Sequence, residues 1–114
     1  PAVGFIISDG KTKFAITGDT SKAGNFWKAV NKEENLDALL IECAFPDKMK
    51  ELADASHHLT PKLLQSELTN LHHKNCKIFV INLKPMYREQ IVQEIENLKI
   101  NNLNILEVGK IYNL

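Results

Sequence analysis

The sequence predicts an α/β domain, on three observations. Asp9-Gly10 stands between two short apolar runs, the strongest short-range sign of a β-hairpin. Two later runs, Leu36 to Ile41 (LDALLI) and Lys77 to Ile81 (KIFVI), are dominated by apolar residues, as strands covered by helices are. Between and after them, apolar residues recur at helical spacing. A hairpin followed by alternating helices and strands reads as a sheet with helices packed against it.

Taken in order, Val3 to Ser8 and Lys13 to Thr17 are the hairpin strands, and Gly10 accepts the positive φ that such a turn asks for. Ala23, Phe26, Trp27 and Val30 then predict a helix, with Thr20 or Ser21 able to cap it. LDALLI is the next strand, and Pro46-Asp47 begins a short helix through Met49, Leu52 and Ala53. Thr60-Pro61 is a clean helix start, with a capping hydroxyl and then a proline whose missing N–H costs nothing. Leu64, Leu68 and Leu71 carry that helix to about Lys74. After KIFVI and Lys84-Pro85, the residues Ile91, Val92, Ile95 and Leu98 predict a last helix. Asn104 to Leu106 and Lys110 to Tyr112, around Gly109, read as closing strands.

At 114 residues, with 44% hydrophobic and 25% charged, the chain suits one domain with one modest core. Fourteen basic and fourteen acidic residues cancel, so no net field draws it to nucleic acid or to an anionic membrane. No apolar run is long enough to span a bilayer. The chain opens on Pro1 with a strand following at once, which suggests a longer protein cut short and leaves the compartment open. Cys43 and Cys76, far apart and without a CxxC pair, read as buried free thiols.

In α/β sheets, functional groups gather at the carboxyl ends of strands. Three strands end in polar residues: Gly18-Asp19-Thr20, Glu42-Cys43 and Asn82. The first is not a phosphate-binding loop, because Lys22 precedes the second glycine instead of following it. Asp19 suits a hard cation, or simply a turn. His57 and His58 stand before the Thr60-Pro61 helix start, where a neutral imidazole can donate to a phosphate or merely fill a loop. His72 and His73, near the far end of that helix, are expected to be cations favoured by its dipole. Glu42 ends an apolar strand, and a glutamate is seldom buried without a partner. Tyr87-Arg88 suits a substrate contact or a local ion pair equally.

Read together, VGFIISDG, FAITGDT, LDALLIECAFPD, SHHLTPKLLQSEL, FVINLKPMYREQI and ILEVGKIY resemble the class II cyclic-nucleotide phosphodiesterases of the metallo-β-lactamase fold, in the same order along the chain. The resemblance implies the C-terminal half of an αββα sandwich, a mixed sheet with helices on its outer face, over residues 1–114. It implies hydrolysis of 3′,5′-cyclic nucleotides to 5′-nucleotides, with two divalent metals, zinc or manganese, activating a hydroxide. Asp19 then matches the carboxylate that bridges the metals, His58 the histidine that contacts the phosphate, and Glu42 the acid that orients it. Thr60 and Lys84 are the expected substrate contacts. The implied partners are the cyclic nucleotide and either the missing N-terminal half or a self-association partner.

Two departures stand out. The family's His-x-His-x-Asp-His motif and a further upstream histidine are absent from this sequence. Asn82 stands where the family has its last metal-binding histidine, and an amide oxygen is a poorer zinc ligand. The alternative reading is therefore a non-catalytic member that keeps the scaffold and binds a nucleotide or a protein. A phospho-acceptor receiver domain fits poorly, because Asp9 lies in a hairpin turn.

Overall fold

The computed structural model describes residues 4–17 and 24–107. Strands β1 (Gly4–Ser8) and β2 (Lys13–Thr17) pair antiparallel, with Gly4 opposite Thr17 and Ser8 opposite Lys13. Asp9 organises the turn: its Oδ1 accepts the N–H groups of Lys11 (2.9 Å) and Thr12 (2.7 Å), and Gly10 takes φ +92°. Those two bonds hold the Asp9 carboxyl below its ordinary range.

Helix α1 (Gly24–Lys32) follows, then β3 (Ala38–Glu42), α2 (Lys50–Ala55), α3 (Pro61–Leu68), β4 (Lys77–Ile81), α4 (Arg88–Leu98) and β5 (Leu103–Ile105). Single 3-10 turns, Asp47–Met49 and Pro85–Tyr87, lead into α2 and α4. β2 to β5 run parallel, and the order in the sheet is the order in the chain. Crossovers that all advance in one direction, with the usual right-handedness, put their helices on the same side. The core shows this: Phe26, Trp27 and Val30 of α1, Leu64 of α3, and Ile91 and Ile95 of α4 pack on Leu39, Ile41, Ile78 and Val80. Gly4 belongs to the same contact, since a Cβ there would overlap the Phe26 ring and the Ile16 carbonyl.

The opposite face carries Phe5, Ile7, Phe14, Ile16, Leu40, Phe79 and Ile81 by strand alternation. Registers join them across the sheet, Phe5 to Ile16, Ile16 to Leu40, and Leu40 to Phe79. None of these seven belongs to the helix-covered core. Phe79 is buried, whereas Phe5 is 60% exposed and Ile7 44%.

Two expectations shift. LDALLI becomes a strand only from Ala38, because Asp37 turns its carboxylate to the Lys13 N–H (2.8 Å); at the other end Glu42 joins it, paired with Ile81. α3 ends at Leu68, not near Lys74. The cause is Asn31 at the end of α1, whose side chain donates to the Asn70 carbonyl (2.8 Å) and accepts from the His72 N–H (3.0 Å). His72 and His73 are consequently not at a helix end, and His73 Nε2 bonds the Val30 carbonyl at 2.8 Å. The expected closing strand at residues 110–112 lies outside the described residues, and the one before it is β5.

Both cysteines are buried and free. Burial pushes the Cys76 thiol up to about 12 and the Cys43 thiol higher still.

Candidate functional site

Backbone bonds gather the carboxyl ends of β3 and β4 and the loop after α2 into one rim. The Cys43 N–H reaches the Ile81 carbonyl, those of Ala44 and Phe45 both reach Leu59, and that of Lys84 returns to Ala44. The loop turns because α2 closes at its C-terminus: the His58 N–H bonds the Ala53 carbonyl at 2.8 Å while His57 takes φ +62°. His57 itself stays exposed, and its neighbour is swung inward.

The result is a pair. Glu42, 7% exposed at the end of β3, turns both carboxylate oxygens on His58 Nδ1, at 2.7 and 2.9 Å. A carboxylate only accepts, so Nδ1 carries the hydrogen and Nε2 is left for another partner. The imidazole is 34% exposed against 9% for the carboxyl side chain, so the ring sits at the mouth and the acid behind it. The glutamate that the sequence marked as needing a partner has one.

Phe45, buried at 7%, lies against the ring of His58 edge to face, with centroids 5.9 Å apart. Tyr87 packs on Phe45 at 6.1 Å, and Lys84 Nζ sits 5.8 Å from the centre of the same ring. Sequence reasoning passed over Phe45; its signal was an aromatic three residues beyond a strand-end acid. A cavity of about 210 Å³ opens beside His58, lined by Asp54, His57, Leu63, Ser66 and Glu67. Glu67 is anchored there by the Trp27 indole N–H at 2.9 Å. That volume is below the range that encloses a nucleotide-sized ligand. A roomier groove of about 450 Å³ between α4 and β5 shares no residue with the pair.

The remaining candidates fare differently. Asp19 lies outside the described residues. Asn82, next after the partner of Glu42 in the β3–β4 register, is exposed and left-handed at φ +61°, a conformation asparagine tolerates. Lys84 is exposed on the rim. Thr60 is 1% exposed and its hydroxyl accepts the Leu63 N–H at the start of α3, which makes it a helix cap. Among the described residues no three His, Cys, Asp or Glu side chains come together as a metal site.

No protein-family model matches the chain, and no curated protein matches it. In structure it is similar to human tRNase Z, short form, with a TM-score of 0.60 at 18% identity. The fold is of the metallo-β-lactamase type. The match covers 91% of this chain but 35% of that one, so the chain spans about a third of the protein it matches.

Proposed function

We propose that this chain is the C-terminal half of a metal-dependent phosphodiesterase that opens 3′,5′-cyclic nucleotides, with His58 as the acid for the leaving oxygen and Glu42 as the group that orients it. The observation that carries the reading is the forked bond that His58 Nδ1 donates to both oxygens of Glu42, which leaves Nε2 for another partner. In its protonated form the ring donates from Nε2 to O3′ as the P–O3′ bond breaks, while a new P–O bond forms with oxygen from water. Lys84, an ammonium on the same rim, is proposed to attract the phosphate.

Two divalent ions, zinc or manganese, would supply the hydroxide and offset phosphate charge. The described residues do not form their site: Asn82 alone stands at the expected position, with a neutral oxygen. The proposal assigns the remaining ligands to Asp19 and to the missing N-terminal half. The open sheet face supports that half. Phe5 and Ile7, exposed on the edge strand β1, are the part of that face it would cover.

The test is a comparison of this chain with the full-length protein, each supplied with zinc or manganese, on cyclic AMP and on a tRNA precursor. We expect the chain alone to be inactive and to self-associate in light scattering. The full-length protein should cleave the cyclic nucleotide, and His58→Ala should abolish turnover with metal content retained. Cleavage of RNA alone would overturn the substrate, and a well-folded monomeric chain at high concentration would overturn the missing half. A second reading, a non-catalytic nucleotide-binding or interaction module, is favoured by Asn82; it predicts binding of cyclic nucleotide without turnover in the full-length protein.

A further inference from the structure

We infer that Phe45 is a positioning residue for His58, setting the plane of the imidazole as Glu42 sets its tautomer. This rests on the reading of His58 as the proton donor.

The argument begins with what Glu42 leaves undetermined. Its two oxygens lie almost equally far from Nδ1, 2.7 and 2.9 Å. A bond so shared fixes which ring nitrogen meets the acid. Nδ1 can still slide from one oxygen to the other as the side chain turns about Cα–Cβ and Cβ–Cγ, and Nε2 moves with it. A second contact, on the ring itself, is needed to hold the plane.

Phe45 makes such a contact. Its ring meets His58 at 61°, an edge-to-face arrangement that loses attraction when either ring turns. The ring is itself held. Phe45 is buried, its N–H bonds the carbonyl of Leu59, the residue next to His58, and Tyr87 and Lys84 close on it from elsewhere. The two rings therefore share one backbone anchor, and neither drifts without the other. Among the described residues the imidazole has no other hydrogen-bond or ring partner. Lys84 reaches the same ring, so one phenyl group stands between the proton donor and the rim cation.

The test is NMR of the whole chain with labelled histidine, reading the imidazole nitrogens for tautomer and the three-bond couplings for the His58 rotamer. In the natural sequence one Nδ1–H tautomer and one rotamer are expected. Phe45→Leu should keep the tautomer, because Glu42 remains, but average the couplings and broaden the ring signals. Phe45→Tyr, which keeps the ring, should restore the original values. Should Phe45→Leu not fold, Phe45→Met is read in the same way. Unaveraged couplings in a folded variant without the ring would overturn the inference, since a residue that merely fills the core would change stability and leave them alone. In the metal-loaded full-length protein the same variant should lower kcat by roughly tenfold with KM unchanged, the upper end of what an aromatic pair contributes. Absence of turnover in the unsubstituted full-length protein would sink the phosphodiesterase reading, while the coupling measurement stays decisive for Phe45.

Discussion

Removing either member of the Glu42–His58 pair should have unequal consequences, and the inequality follows from where each side chain sits. His58→Ala strands a carboxylate whose side chain is 9% exposed, and water entering the space left by the ring replaces the two lost contacts only in part. Breaking a buried pair in this way costs about 3 kcal/mol at the lower end of its range, and loss of the Phe45 contact adds about 0.5 kcal/mol. Glu42→Ala strands an imidazole that is 34% exposed, which water can reach. The cost there is that of one charge-assisted hydrogen bond, about 1.5 kcal/mol. The double variant removes both groups and leaves nothing stranded, so its cost should fall short of the sum by about 1 kcal/mol or more. Urea unfolding followed by circular dichroism measures all four proteins at one concentration and pH. Equal losses in the two single variants, or a larger loss for Glu42→Ala, would refute the picture of an acid held behind a ring at the mouth.

Other outcomes follow from the same geometry. Burial raises the Cys76 thiol from 9.0 to about 12, so above pH 9 the unfolded thiol ionises first; stability should fall with rising pH from there toward 12, less so in Cys76→Ala, as read by urea midpoints. At pH 8 neither cysteine should react with a thiol reagent unless the chain is unfolded. Asn82→Gly should be tolerated and Asn82→Val should lose about 1–2 kcal/mol, because φ +61° suits glycine and opposes a branched side chain. On the proposed metal reading, Asn82→His in the full-length protein should raise bound zinc toward two per chain, checked by metal analysis, and unchanged zinc would mean that the position does not face the metals. Asn31→Ala should cost about 1–2 kcal/mol and speed amide exchange at His72, whose N–H it leaves without that acceptor.

Much of this molecule could be read from neighbouring residues. Thr60-Pro61 starts α3 where a capping hydroxyl and a proline say it should, and KIFVI is β4 residue for residue. Glu42 announced a partner because a lone buried carboxylate is too costly, and His58 supplies it from 16 positions away. What was hidden depends on residues distant in sequence. Leu71 continues the helical spacing of α3, but Asn31 takes the backbone groups that a longer helix would have used. Phe45 looked like any core aromatic, since no local pattern says which ring it will face. Asn82, by contrast, could be read as a turn residue before Leu-Lys-Pro, and it takes φ +61° there. Asp19, on which the metal reading leaned, lies among residues the structure does not describe.

A sheet whose strands stand in chain order can be assembled like a course of bricks, each laid against the one before. Every strand from β2 to β5 finds its neighbour already in place as it leaves the ribosome. Among the described strands none has to be inserted between two earlier ones, which keeps the separation of paired segments short and their closure entropy small. Removing β5 would expose β4 as the new border and leave the earlier pairings whole. Removing β3 would instead ask β2 and β4 to meet across a register they have never shared. The chain should therefore tolerate trimming from its far border much better than deletion from its middle.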